Sequence, residues 1–183
     1  RGAGLRHPLD RRLGGVTGGR EVGGGRDLGE HRALSPFHGL KPLSPEFVRE
    51  NAAFADAFLT VVGDAQKRFG LWKEILDAKA LPEGLPVSTA HRHFLRGVAH
   101  AALGEVADAE KERAALAAAL PKIPKDFYWG SNSAAEVLAV TLPFLDGEIA
   151  YRKGDHAKAI AKLREAVRLE DALRYDEPPP WTV

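Results

Sequence analysis

The chain contains no cysteine and no methionine among its 183 residues. Without cysteine, a disulfide framework and thiol chemistry are both excluded. Methionine is missing even at position 1, so the sequence reads as a fragment or a processed product. No apolar run approaches the roughly 20 residues needed to cross a bilayer, and no charged-then-apolar leader opens the chain. The expectation is a cytoplasmic protein with no membrane partner.

What is present is ordinary in bulk and uneven in distribution. Hydrophobic residues make up 44% and charged residues 28%, as in a soluble globular domain. The formal net charge of +1 sums two unlike parts. Residues 1–41 carry eight Lys/Arg against four Asp/Glu, and the remainder carries 18 against 21. The basic head also holds 11 of the 19 glycines and almost no aliphatic periodicity, so it cannot bury enough surface to offset its ordering entropy. A disordered segment is expected there. Its Gly-Gly-Arg and Gly-Gly-Gly-Arg runs lack the interleaved aromatics and dense repetition of Arg/Gly-rich RNA-binding tails, which disfavours nucleic acid as a partner.

Beyond the head the pattern is helical. Ser44 followed by Pro45 is a helix start signal. Phe47, Val48, Phe54, Phe58, Leu59, Val62 and Phe69 predict one helical run that Gly70 ends. A shorter helix over 71–79 contains Trp72, Ile75 and Leu76, and 81–86 reads as a linker. Further helices are predicted over 88–103, 105–120, and from Ser133, which forms a capping box with Glu136, to 153. Pro143 lies inside that last one and removes a hydrogen bond, so a kink or split is expected near 139–143. After the Gly154-Asp155 corner, Ala159, Ile160, Leu163, Ala166 and Val167 form an apolar stripe expected to be buried. The tail at 176–183 is too proline-rich for a helix.

Three Gly-x6-Gly pairs punctuate these helices: Gly63 and Gly70, Gly97 and Gly104, Gly147 and Gly154. The first two pairs are 34 residues apart, the tetratricopeptide period. The third follows after one period plus 16, and the surplus falls in the aromatic connection around 121–132. Five residues after each second glycine come Ile75, Ala109 and Ala159, where close helix packing favours a small side chain.

In these features the chain resembles tetratricopeptide repeat proteins over about residues 55–175. Departures fall on the first helices, where His93 and His100, Pro143 and Ala150, and Leu59 and Gln66 replace the family's large aromatic and tyrosine. The stretch from Trp129 through Trp181 is similar to a subgroup of large bacterial tetratricopeptide proteins that continue into further repeats, which implies a chain stopping mid-solenoid. The resemblance implies an all-α fold, an α-solenoid of about three antiparallel helix pairs at 42–175. It also implies a protein or peptide partner on the concave face, with self-association through the open solenoid end as a second expectation. Inward residues of the first helices would be Thr60, Asp64, Lys67 and Arg68, then His91, Phe94 and Val98, then Phe144, Glu148, Tyr151 and Arg152. The Lys/Asn/Arg clamp by which some members grip a carboxylate terminus is not reproduced.

Candidate chemistry is sparse. His91, His93 and His100 share one helix, but a metal site needs three or four ligands, and no His-Glu-x-x-His pattern accompanies them. They read as packed or hydrogen-bonded structural residues. Asp64, Asp146 and Glu148 have no base or nucleophile at a reacting spacing and read as solvated face. Ser88, Ser131 and Ser133 read as helix caps. Trp72 and Trp129 read as packing between helix pairs; Phe127, Tyr128 and Trp181 are further contact aromatics. The expectation is a non-catalytic scaffold without metal or cofactor. The alternative is a structural repeat region of a larger bacterial protein whose activity lies elsewhere.

Overall fold

The computed structural model describes residues 44–174; the expectations for residues 1–41 and for the tail at 176–183 lie outside them. The described chain is helical, with its helices packed in pairs. Ser44 opens α1 (Pro45–Glu50), its hydroxyl accepting from Phe47 N–H at 3.1 Å. The single run expected up to Phe69 is instead broken into α1, α2 (Ala52–Ala55), a 3-10 turn (Asp56–Thr60) and α3 (Val61–Arg68). The break has a tertiary cause. Asp56 is fully buried, and its carboxylate accepts from Val87 N–H at 2.7 Å and Ser88 N–H at 2.9 Å.

Those two N–H groups belong to the start of α5 (Pro86–Leu103), which has no side-chain cap of its own. Asp56 therefore caps α5 from 31 residues away. This corrects the expected start at Ser88 and its capping role: Pro86 occupies the first turn, where a missing N–H costs nothing, and the Ser88 hydroxyl donates to the Asp56 carbonyl at 2.7 Å. Burial pushes the Asp56 carboxyl above its ordinary pKa, against the hydrogen bonds from Ser88 and Val87 that pull it down.

Helix α5 is the hub. It packs against α4 (Trp72–Asp77), α6 (Val106–Ala119) and α8 (Thr141–Arg152), and α8 pairs with α9 (His156–Asp171). The core runs through Val87, Phe94, Leu116, Leu138 and Leu145, all essentially inaccessible. From α5, Arg96 and Arg92 donate to the Leu76 and Ala78 carbonyls at the end of α4, at 2.8 and 2.7 Å.

Three corners share one construction. Gly70, Gly104 and Gly154 have φ of +67°, +83° and +81°, and each donates to the carbonyl three residues back while its successor donates five back. This is the Schellman ending that left-handed glycine permits. The first glycines serve contact instead. A Cβ on Gly63, Gly97 or Gly147 would lie 2.3 Å from Leu95, 2.6 Å from Leu145 and 2.7 Å from Leu163. Ile75, Ala109 and Ala159 are all buried.

Two further elements fill the long connection. Tyr128–Trp129 (β1) and Asn132–Ser133 (β2) pair antiparallel across a turn containing Gly130 at φ +61°, a short hairpin that an all-α expectation omits. Asn132 ties it to the end of α9, accepting from Arg174 N–H at 2.8 Å and donating to the Arg174 carbonyl at 3.1 Å. Ser133 and Glu136 close their capping box at the start of α7 (Ala134–Ala139). The split near Pro143 falls at Val140, between α7 and α8, so the proline sits in the first turn of α8. There it interrupts no ladder.

Helix α9 differs from expectation in phase. Its buried residues are Ala159 and Ala166, with Leu163 half-buried, while Ile160 and Val167 are 52% and 53% exposed. Residues 159, 163 and 166 point at α8, and 160 and 167, seven apart, mark the neighbouring stripe. Among the described residues, no helix is long and apolar enough to cross a membrane.

Candidate functional site

Helices α3, α4, α5 and α8 enclose a groove of about 270 Å³. Lys67 and Arg68 come from α3, Trp72 from α4, Val98 and Ala102 from α5, and Phe144, Glu148 and Arg152 from α8. Six of these eight, all but Trp72 and Ala102, are inward residues expected from the sequence. Ala102 lies one helical turn after Val98 on the same face, so periodicity could have found it. Trp72 is on a second helix and falls outside a rule restricted to first helices; it is half-buried, packing on the core with one side on the groove.

The other expected residues are placed differently. Thr60, Asp64, His91 and Phe94 are buried. Thr60 donates its hydroxyl to the Ala57 carbonyl at 2.7 Å. Asp64 is not solvated face: its Oδ1 lies 3.1 Å from His91 Nε2 and 3.7 Å from Lys67 Nζ. His91 packs on Phe94 and edge-on to buried Trp129, with ring centroids 5.7 and 5.3 Å apart. Tyr151 is exposed beside His156 and Arg152, and does not line the groove.

These buried residues form the groove's foundation. Phe94 meets Phe144 edge-on at 5.6 Å, and the Lys67 ammonium sits 5.1 Å above Phe94 and 5.9 Å from Phe144. Burial pulls Lys67 below its ordinary pKa, against the opposing pull of Asp64 and, more weakly, Glu170. The two rings and the Asp64 carboxylate offset part of the cost of burying that ammonium.

Other polar clusters are satisfied internally. Glu112 accepts from Arg96 Nε at 2.6 Å and lies 2.7 Å from His93 Nδ1. Burial alone would raise its pKa, but the bonds and charges of His93 and Arg96 outweigh that and hold it below the ordinary carboxylate value. His100, Glu105 and Asp108 bring their ligand atoms within 4.8 Å of one another. There, His100 Nδ1 and Glu105 close the helix corner at 2.7 Å, and Lys111 holds Asp108 at 2.7 Å. A larger cleft of about 560 Å³ between α6, α8 and α9 is lined by charges most of which pair with one another. Arg113 bonds Asp146 at 2.7 and 3.2 Å, which takes Asp146 out of the expected solvated face. Lys153 bonds Glu110, and Lys162 bonds Glu165 at 2.8 Å.

Comparison of the chain with family models, with curated proteins and with solved structures returns no match. The groove must be read from its own chemistry. Its lining combines an apolar floor, an aromatic wall, three cations and one carboxylate. None of the eight lining residues is a serine or a histidine, and a small apolar cleft with a charged rim suits the docking of an extended side chain.

Proposed function

We propose that this chain is a non-catalytic protein- or peptide-binding scaffold of tetratricopeptide-like helix pairs, with the groove between α3, α4, α5 and α8 as its binding face. The observation that carries the reading is convergence. Six residues assigned to the inner face by the tetratricopeptide resemblance line one cleft, although they come from three helices and span positions 67–152.

The repeat reading draws support from equivalences between units. The three Schellman corners fall at equivalent positions. Leu95 and Leu145 each precede their unit's first glycine by two residues, and each lies over the first glycine of the preceding unit, Gly63 and Gly97. Glycine admits that close approach.

A second reading, repeats within a larger protein whose activity lies elsewhere, is favoured by exposed apolar side chains on the outermost elements. These are Phe54, Phe58 and Phe69 at one end and Ile160 and Val167 at the other. Further helix pairs would cover such surfaces. The neighbouring coding sequence decides that reading: absence of further helical repeats on both sides would end it.

The binding reading is tested by panning a randomised peptide display library on the full chain, with Ala102→Trp as the groove-filled control. Sequences enriched on the wild type and lost on a folded Ala102→Trp variant are expected. A library that enriches nothing, or enriches equally on both proteins, would remove the groove as the binding face.

A further inference from the structure

The chemistry of the groove narrows its occupant, an inference that rests on the binding reading above. We propose that the groove takes a short acidic peptide segment, in which one apolar side chain lies on Val98, Ala102 and Phe144 against Trp72 while flanking Glu or Asp carboxylates are held by Arg68 and Arg152.

Charge carries the first step. Three cations and one carboxylate line the groove, and the cations differ in kind. Lys67 is committed to Asp64 and to the Phe94 and Phe144 rings. Arg68 and Arg152 are exposed, and among the described residues no carboxylate lies within ion-pair distance of either. A guanidinium fork matches a carboxylate in two parallel bonds, which an ammonium cannot reproduce. The two arginines come from different helices, α3 and α8, and both line the groove, so they suit two carboxylates flanking one side chain.

Size and the single acid fix what lies between. At about 270 Å³ the cleft falls just under the roughly 300–1,000 Å³ of small-molecule sites, which fits one large side chain better than a cofactor. Glu148 would repel a carboxylate placed centrally, so the acidic residues flank the apolar side chain and do not replace it. A long polyanion is disfavoured by the rest of the chain. Residues 42–183 carry 18 Lys/Arg against 21 Asp/Glu, a field that opposes nucleic acid while leaving the local cationic rim intact.

The test uses fluorescein-labelled peptides on the full chain, read by fluorescence anisotropy. The probe is Gly-Ser-Glu-Glu-Phe-Glu-Glu-Ser-Gly, with counterparts carrying Lys or Ser at the four Glu positions and a fourth carrying Gly at Phe. The acidic probe is expected to bind in the micromolar range, and the Lys probe not at all. The Gly-for-Phe probe is expected about tenfold weaker, and raising salt from about 50 to about 300 mM should weaken the acidic probe severalfold. Arg68→Glu and Arg152→Glu, both at exposed positions, should each cost about tenfold, whereas Glu148→Gln should tighten binding. Lys or Ser probes binding as well as the acidic one, or acidic binding indifferent to both arginine variants, overturns the acidic assignment. If that binding is still lost in Ala102→Trp, the groove keeps its binding role. Absence of binding by all four probes, or tighter binding of a uridine decanucleotide than of the acidic probe, also overturns the proposal. The display library then decides the binding role independently.

Discussion

Removing the Asp56 carboxylate is the sharpest test of how this fold is held. In Asp56→Ala, Val87 and Ser88 lose their acceptors at a helix start sealed from water. A buried N–H left unpaired costs about 1–3 kcal/mol. Two of them, with partial relaxation, put the loss at about 3 kcal/mol. At about 2–4 °C per kcal/mol for a domain of this size, the melting temperature should fall by roughly 6–12 °C. Asp56→Asn should fall between, because its one carbonyl oxygen takes one N–H while its amide faces the other. The loss of charge returns something, since burial already disfavours the ionised form. Urea denaturation followed by circular dichroism measures both variants, with Arg164→Ala on the exposed surface of α9 as a control that should barely move the midpoint. A loss below about 1 kcal/mol for Asp56→Ala at unchanged m would mean that α5 draws its cap from elsewhere and that the 31-residue contact is incidental.

Two further perturbations separate other causes. Gly147→Ala places a Cβ 2.7 Å from Leu163 Cγ and 3.3 Å from the Ala159 carbonyl and should cost about 1–3 kcal/mol by overpacking. Gly154→Ala meets no atom within 4 Å and should cost about 1–2 kcal/mol through its left-handed backbone alone. Asparagine should recover part of the loss at 154 and none at 147; equal behaviour at the two sites would refute the distinction. For Glu112 the folded pKa lies below the unfolded one. Its contribution is thus present above the ordinary glutamate range and disappears as pH falls through the lowered folded value. The stability gap between wild type and Glu112→Gln, measured by urea titration at several pH values, should close on acidification; a gap that widened would reverse the sign.

Features built from neighbouring residues were legible in the sequence. The Gly154-Asp155 corner, the Ser133–Glu136 box and the split forced by Pro143 each depend on residues within one or two helical turns. Asp56 was not legible as a cap, because nothing near it announces that its partners are Val87 and Ser88. That same contact accompanies the break in the first helical run, which local periodicity reads as continuous. On α9, Ile160 and Val167 are the larger side chains, yet close approach to α8 selects Ala159 and Ala166. Size had to yield to fit. On the groove, the inward positions implied by the resemblance place Lys67, Arg68, Val98, Phe144, Glu148 and Arg152 along one cleft. Periodicity could not tell that Asp64 and His91, also on α3 and α5, would lie deep enough to come within 3.1 Å of each other. Depth within a face comes from how neighbouring helices cross, and one helix's periodicity does not carry that information.

The traffic between α5 and the segment before it bears on where this protein can be divided. The Pro- and Gly-containing stretch at 81–86 looks like a seam, and a protease or an engineer would be drawn to it. Yet the first N–H groups of α5 donate to the Asp56 carboxylate, and the arginines of α5 close the end of α4 at Leu76 and Ala78. Each side of the stretch completes the other's helix ends. A cut there would leave each piece with helix ends that the other had completed.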